Sequence, residues 1–275
     1  MTASPLDDVR AHYSQGEERA RLESPLGKIE FARTVEIVRR HLPPPPAVVA
    51  DIGGGPGRYA LWLADSGYQV RHRDLVGLHV EQLTADAAAD GLSVETAVGD
   101  ARSLDLPDDC VDAVLLLGPL YHLTERPERV QALREAARIL RPGGVAFAAA
   151  ISRWAPRLHG ELVEQLGRRF PTIIDQLAEV EETGQLPPLF PGSFSGYCHR
   201  PQQLRSEIRA AGMDLVDLVS VEALSFALPD LEQRLAHPDT RAVILDGARA
   251  VERVPELLGL GPHLLATARH ASRDA

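Results

Sequence analysis

The sequence is poor in features that would point to several common classes of protein. Its two cysteines, Cys110 and Cys198, lie far apart without metal-binding spacing, so we expect reduced thiols and no metal. The formal net charge is −10 and no basic stripe is evident, which disfavours a nucleic-acid partner. No apolar run approaches the roughly 18 residues of a membrane span, and the N-terminus lacks a signal-peptide core. We therefore expect a cytoplasmic protein with no membrane partner; the oligomeric state is left open.

What the chain does contain is ordinary for a soluble globular protein. Apolar residues make up 44% and charged residues 25% of its 275 residues. This length suits one large α/β domain, or one domain with a modest cap. The composition therefore predicts a single large unit and does not select a function.

One glycine-rich stretch stands out. Residues 48–52 predict a buried strand, residues 53–57 a glycine turn, and Arg58 the start of a helix. Glycine adopts positive φ freely and leaves the backbone open to a ligand. The helix directs its unpaired N–H groups and the positive end of its dipole towards the turn. We therefore predict a small-molecule site at the carboxyl end of the first strand.

The spacing of this stretch bears on the ligand. Gly53 and Gly55 fit the dinucleotide pattern G-x-G-x-x-G, but Arg58 occupies its third glycine position. Asp51, Gly53, Gly55 and Gly57 instead form an acidic-x-Gly-x-Gly-x-Gly turn, which resembles the first motif of class I S-adenosylmethionine-dependent methyltransferases. A nicotinamide-dependent reductase and an unrelated tight turn are the alternatives.

Three further features strengthen the resemblance. Asp74 ends the second predicted strand about 20 residues after the turn, where a carboxylate binds ribose hydroxyls, although it could instead cap a helix. Asp100 and Ala101 resemble the family's adenine-binding acid and the backbone amide after it. Residues 139–144 resemble the family's turn before the fifth strand. The resemblance covers residues 48–151 and implies S-adenosyl-L-methionine as cofactor and S-adenosyl-L-homocysteine as product.

Candidate catalytic residues follow the fourth predicted strand. The family places residues near the methyl group there, so Gly118 is a cofactor-binding candidate, and Tyr121 could orient the substrate. His122 is the best candidate base, because imidazole titrates near neutral pH; it could equally bond a loop carbonyl. Methyl transfer depends mainly on alignment, so no catalytic triad is expected.

The other candidates, apart from Arg58, lie outside this core. Tyr13 in the N-terminal helical segment could close over the cofactor, as in related methyltransferases, or simply pack its helix. Arg33 and Arg58 could pair with the cofactor carboxylate, but surface ion pairs explain them nearly as well. His199 and Tyr197 could face the same cavity, although a structural role is the simpler interpretation of each.

The predicted fold is α/β: a doubly wound, mostly parallel seven-stranded sheet of the Rossmann-like methyltransferase type, with a helical cap inserted after strand five. Residues 1–46 are assigned to an N-terminal helical lid and 47–151 to the cofactor-binding core. Residues 152–200 are assigned to a substrate cap, because loops at the carboxyl ends of strands converge on the site. Residues 201–275 complete the core sheet.

The expected activity is methylation of a small-molecule acceptor, such as a bacterial natural-product intermediate. Residues 118–121 read Gly-Pro-Leu-Tyr and lack the Asn/Asp-Pro-Pro-aromatic motif of nucleic-acid amino-methyltransferases, which argues against base methylation. O-, N- and C-methylation remain open, with an aromatic or indole-type acceptor in view. The alternative from another class is a non-catalytic binding protein that retains the fold.

Overall fold

The N-terminal segment forms three helices. The computed structural model describes residues 5–14, 16, 18–189 and 193–270. Its first helices are α1 (Pro5–Tyr13), α2 (Glu18–Arg21) and α3 (Pro25–Arg39). Helix α3 begins after Ser24, whose hydroxyl accepts the Gly27 amide at 3.1 Å. The described part of the N-terminal segment is therefore helical, as predicted.

Five parallel strands follow, joined by helices that cover both faces. In chain order they are β1 (Val48–Ile52), α4 (Arg58–Asp65), β2 (Gln69–Asp74), α5 (Gly77–Ala89), β3 (Val94–Val98), β4 (Val111–Leu116), α6 (Arg126–Ile139) and β5 (Leu140–Ser152). The strand order is β3-β2-β1-β4-β5, so β1 and β4 lie centrally. This is the predicted doubly wound arrangement.

The cap segment contains both helices and strands. A π-helix at Pro156–Val163 precedes α7 (Leu166–Arg169) and α8 (Ile173–Thr183). Two short strands that the sequence analysis did not predict then form a hairpin, β6 (Gln185–Leu186) and β7 (Gly196–His199). Strand β7 pairs with the end of β5, so the hairpin extends the sheet at its carboxyl edge. The segment is therefore attached to the core sheet rather than purely helical.

The C-terminal segment completes the sheet. Helix α9 (Pro201–Ala210) leads into β8 (Met213–Ser220), followed by α10 (Leu231–Ala236), α11 (Pro238–Val251) and β9 (His263–His270). Strand β9 runs antiparallel to both β5 and β8 and lies between them. The seven predicted strands are confirmed, and β6 and β7 raise the total among the described residues to nine.

The core divides between the two faces of the sheet. Successive side chains of a strand point to opposite faces, and β1 shows this pattern. Val49 packs with α3 and α4, whereas Ala50 and Ile52 pack towards α6 and α9. None of the helices in the described ranges combines the length and the apolar character that crossing a membrane requires.

A buried histidine ties the glycine turn to the sheet. His72 on β2 places Nε2 3.0 Å from the carbonyl oxygen of Gly55 and Nδ1 2.8 Å from Oγ1 of Thr96. A carbonyl only accepts, so Nε2 carries the proton and Nδ1 accepts from the Thr96 hydroxyl. Burial lowers the pKa of His72 to about 4. The imidazole is therefore neutral at physiological pH.

Acid should weaken the fold through this residue. An unfolded His72 titrates near 6.5, so the native state loses stability as pH falls from about 6.5 to about 4, by roughly 2–3 kcal/mol. The free energy of unfolding, measured with urea at pH 7 and at pH 4.5, gives this loss. The loss should be about 2 kcal/mol smaller in His72→Gln than in the wild type. The exposed His237→Gln is the control and should behave as wild type. Equal acid sensitivity in all three proteins would contradict the assignment.

Candidate functional site

A deep cleft opens at the carboxyl ends of β1, β2 and β4, beneath α1 and α2. It encloses about 980 Å³, counting the part open to solvent. Its floor is the glycine turn, and its walls come from loops after β2, β3 and β4. The predicted site residues on its wall are Tyr13, Gly53, Gly55, Asp74, Asp100, Ala101, Gly118, Tyr121 and His122.

The glycine turn has the backbone geometry that the sequence predicts. Gly53, Gly55 and Gly57 adopt φ of 64°, 58° and 88°, which L side chains rarely adopt. A Cβ at Gly53 would lie 2.5 Å from the side chain of Pro119. The turn therefore presents bare backbone to the cleft, and α4 begins directly behind it at Arg58.

Asp51 lies behind the turn rather than on the cleft wall. Its carboxyl group is therefore not positioned to contact a ligand in the cleft directly. The residue is fully buried, and its carboxyl group lies against Gly54. Among the described residues neither of its oxygens has a well-formed hydrogen bond. Burial, reinforced by the charge of Asp74, raises the pKa of Asp51 to about 7. A buried carboxyl without a partner is costly, and a cation in the cleft would stabilise its ionised form.

Asp74 connects the turn to the loop before α5. Its Oδ2 accepts the Gly55 amide at 2.8 Å, and its Oδ1 accepts the Val76 amide at 2.8 Å and lies 3.0 Å from Nδ1 of His79. Burial alone would raise the pKa of Asp74, but the His79 hydrogen bond and the two amides hold it below its usual value. The carboxylate is therefore ionised, fixed, and on the cleft wall.

Asp100 forms the far end of the same wall. Its carboxylate accepts the Arg102 amide at 2.9 Å and the Arg102 guanidinium at 2.7 Å, and Arg102 also pairs with Glu128. Burial opposes ionisation, but these bonds from Arg102 keep the pKa of Asp100 below its usual value. Ala101 follows it on the wall.

An aromatic group closes the cleft from above. The Tyr13 hydroxyl lies 3.0 Å from Nε2 of His122, and the His122 ring packs against Tyr121 and Phe194 at centroid distances of 4.6 and 4.7 Å. Burial, with a contribution from His12, lowers the pKa of His122 to about 3. His122 is therefore neutral at physiological pH and a weak base, and Tyr13 reaches it from α1.

Gly118 lies directly against the turn. A Cβ at this position would lie 2.8 Å from the carbonyl oxygen of Gly53. The end of β4 can therefore approach the end of β1 closely only without a side chain here. This contact brings the segment that carries Tyr121 and His122 next to the glycine turn.

Two predicted site residues lie elsewhere, and these predictions are wrong. Arg33 is fully buried, pairs with Glu36 and Glu252, and donates to the Val221 carbonyl at 3.3 Å. His199 on β7 is also fully buried, with Nε2 3.0 Å from the carboxylate of Glu207. Neither lines the cleft. Both patterns were ambiguous because sequence spacing does not show which side chains pair in the interior.

The other two sequence candidates are also engaged in local contacts. Arg58 borders the cleft but pairs with Glu23 and lies over the ring of Phe31, 4.7 Å from its centroid. Tyr197 lies beneath the Arg129 guanidinium, 3.6 Å from the ring centroid, and its hydroxyl accepts from Gln203. The ion-pair interpretation of Arg58 and the structural interpretation of Tyr197 describe these contacts.

Three charged residues on the cleft wall, Glu18, Arg21 and Glu30, were not predicted from the sequence. Arg21 pairs with Glu30 at 2.6 Å and with Glu18 at 2.7 Å. Glu18 and Arg21 lie on α2 and Glu30 lies on α3, and no sequence motif includes them. Only the folding of these helices over the sheet brings them to the cleft.

Comparisons with known proteins agree with this geometry. Residues 49–144 match the model of a methyltransferase domain family. The chain is 37% identical over 121 residues to the ubiquinone/menaquinone biosynthesis C-methyltransferase UbiE of Acidiphilium cryptum, covering 43% of this chain and 47% of that protein. It is 32% identical over 126 residues to a mouse protein described as a tRNA methyltransferase 9B, covering 46% and 24%. The chain thus spans about half the length of the first relative and about a quarter of the length of the second.

A solved structure extends the likeness beyond the matched domain. An S-adenosylmethionine-dependent methyltransferase of Methanosarcina mazei superposes with a TM-score of 0.60 at 17% identity, covering 86% of this chain and 98% of that one. At this identity the likeness concerns the fold. Residues 49–144 therefore match a methyltransferase domain, and the chain as a whole has the fold of this S-adenosylmethionine-dependent methyltransferase.

Proposed function

We propose that this protein binds S-adenosyl-L-methionine in the cleft and transfers its methyl group to a small-molecule acceptor. The observation that carries the proposal is the bare glycine turn flanked by two ionised carboxylates, Asp74 and Asp100, on one cleft wall. Backbone amides and acids in this arrangement suit an adenosine group that carries a positive charge nearby.

The residues present fit such a cofactor. Asp74 would accept the ribose hydroxyls, and Asp100 with the Ala101 amide would hold the adenine. Arg21, a cation on the cleft wall, takes the role that the sequence analysis gave to Arg33 and would meet the cofactor carboxylate. Asp51, buried and without a well-formed hydrogen bond behind the turn, would be stabilised by the cofactor's positive charge.

The cofactor supplies an activated methyl group, so the protein's task is mainly to align the acceptor and exclude water. Tyr13, Tyr121 and His122, with Phe194 from the cap, are placed to do this. A base with a pKa near 3 gains little from proton transfer at neutral pH. We therefore propose that the Tyr13–His122 contact closes the cleft and orients the acceptor, while Tyr121 lines the site.

A small acceptor is favoured over a nucleic acid. The cleft is covered by α1 and α2, and the net charge of −10 would repel a phosphate backbone. The aromatic rings at the cleft mouth suit a planar acceptor, such as an aromatic or indole-like natural-product intermediate. Residues 152–200 would act as its cap, as the position of Phe194 supports. The likeness to a tRNA methyltransferase supports a competing interpretation, in which the acceptor is a tRNA. Binding of tRNA in a gel-shift assay at physiological salt would favour that interpretation.

The first prediction concerns cofactor affinity. Calorimetry should show that the folded protein binds S-adenosyl-L-homocysteine. Asp74→Ala should weaken this binding by about 1–3 kcal/mol, because the ribose hydroxyls lose a charged acceptor. The exposed Asp90→Ala, at the end of α5, is the matched control and should bind as wild type. Binding of NADPH in place of S-adenosyl-L-homocysteine, or an unaltered affinity in Asp74→Ala, would contradict the proposal.

A second prediction concerns Asp51. With a pKa of about 7, its carboxyl is about half protonated at pH 7, and a bound cation should lower that pKa and release up to roughly half a proton. Calorimetry of S-adenosyl-L-methionine binding in phosphate and in Tris buffer measures this release. Asp51→Asn should abolish it. Equal proton release by the variant and the wild type would rule out Asp51 as its source.

A further inference from the structure

A second group of buried charges lies beside the cleft, outside the glycine turn and its flanking carboxylates. Glu222 lies two residues after the end of β8, and His263 begins β9. Strand β8 runs parallel to β5 because each is antiparallel to β9, so both residues lie at the carboxyl rim of the sheet. This is the rim at which open α/β sheets bind their ligands.

Glu222 holds the imidazole of His263 in one orientation. Its Oε1 lies 2.5 Å from Nδ1 of His263, and its Oε2 accepts the His263 backbone amide at 3.1 Å. Glu222 is fully buried, whereas the His263 side chain is 20% exposed. A carboxylate on Nδ1 fixes the ring, as it does for imidazoles positioned in active sites. Among the described residues, Nε2 has no hydrogen-bond partner.

Glu30 links this pair to the cleft. A carboxylate oxygen of Glu30, a carboxylate oxygen of Glu222 and a ring nitrogen of His263 all lie within 4.8 Å of one another. Of the three, Glu30 lines the cleft, where it also accepts the Arg21 guanidinium at 2.6 Å. Its other oxygen accepts from the same guanidinium at 3.3 Å, so the Glu30 carboxylate is held between two cationic groups at the cleft wall.

The segment that carries Glu222 is fixed from behind by Arg33. The buried guanidinium of Arg33 donates to the Val221 carbonyl, and the Val221 amide donates to the His263 carbonyl at 3.0 Å. The chain then turns sharply at Ala223, which has a positive φ of 51°. This arrangement fixes the Glu222–His263 pair without a ligand.

Such a group needs an explanation, because taking charges out of water is costly. A metal ion is the first alternative, since two carboxylates and an imidazole are common ligands. However, the Arg21 guanidinium bonded to Glu30 places a positive charge beside the position that a cation would occupy. The charged groups around His263 are Glu222, Glu30 and Arg21, with His159 farther off on the π-helix. Clusters of this kind beside a cleft are typical of functional sites.

We propose that Glu30 is the acceptor-anchoring carboxylate of this enzyme, and that it accepts a hydrogen bond from a hydroxyl or amine N–H group of the acceptor. His263 and Glu222 are positioning residues that keep Glu30 ionised and in place. This inference rests on the proposed methyl transfer and adds a substrate class to it. Acceptors without a hydrogen-bond donor near the methylated atom are excluded from the site.

The charge on His263 gives the anchor a pH dependence. The two carboxylates outweigh burial and raise the pKa of His263 to about 9, so the imidazole is protonated at neutral pH. Above about pH 9 His263 loses its charge, and Glu30 loses one of its two cationic neighbours. Acceptor binding by the wild type should therefore weaken above this pH.

The test compares Glu30→Gln and His263→Gln with wild type. Methyl transfer from labelled S-adenosyl-L-methionine is measured over phenol, catechol, aniline and tryptamine, each beside its fully methylated counterpart. Only the compounds with O–H or N–H groups should be methylated. Glu30→Gln should raise KM for them by about 10- to 100-fold, because a charged hydrogen bond is lost. His263→Gln should raise KM less at pH 7 and should lack the wild-type weakening above pH 9.

The affinity for S-adenosyl-L-homocysteine separates this proposal from the proposed function. It should fall by less than about two-fold in both variants, because Asp74, Asp100 and Arg21 are unchanged and loss of the Glu30 charge leaves Arg21 freer to meet the cofactor carboxylate. Glu36→Gln, on the same helix but paired with Arg33, Arg40 and Arg249, is the matched control and should keep the wild-type KM. A wild type that does not bind S-adenosyl-L-homocysteine would refute methyl transfer itself.

Several outcomes would overturn the anchor while leaving methyl transfer intact. One is an unchanged KM in Glu30→Gln. Another is a wild type that binds S-adenosyl-L-homocysteine but methylates no hydroxyl or amine compound of the panel. A third is tight binding of Mn²⁺ or Zn²⁺ alone that His263→Gln abolishes, since the three residues would then form a metal site. Equal loss of cofactor affinity and acceptor binding would indicate a purely structural cluster.

Discussion

The glycine turn after β1 is the constraint on which the rest of the site depends. Gly53, Gly55 and Gly57 take positive φ, and a Cβ at Gly53 or Gly54 would collide with Pro119 or Asp51. The Gly55 peptide is held on both sides, its carbonyl by His72 and its amide by Asp74. Strands β1, β2 and β4 thus meet at one fixed piece of backbone, which forms the floor of the cleft.

Charge at this rim is unevenly distributed. Asp51, Asp74 and Asp100 surround the turn, and Glu18 and Glu30 lie opposite, with Arg21 between them. Burial, reinforced by repulsion from Asp74, raises the pKa of Asp51. A cofactor with a sulfonium group would relieve this repulsion. The same charge distribution that costs stability in the free protein thereby favours a cationic ligand.

The parts of the fold that the sequence predicted are those set by local pattern. The continuous apolar run of β4 and the glycine turn follow from residues close together in the chain, and so does the spacing to Asp74. Arg33 and His199 could not be placed in this way. Their partners, Glu252 and Glu207, are brought to them by β8, α9 and the segment after α11. The hairpin of β6 and β7 is too short to give a periodic signal, and it forms because the end of β5 offers a pairing edge.

The cofactor half and the acceptor half of the candidate site also differ in how far local sequence pattern predicts them. The residues proposed to bind the ribose and the adenine lie within the 49–144 domain, where motifs exist, whereas Arg21, Glu30, Glu222 and His263 come from both ends of the chain. A crystal structure with S-adenosyl-L-homocysteine tests the account most directly. It should show the ribose on Asp74, the adenine beside Asp100 and the carboxylate at Arg21, with Glu30 facing the sulfur side of the cleft. Density for the ligand outside this cleft, or a ribose that does not contact Asp74, would contradict it.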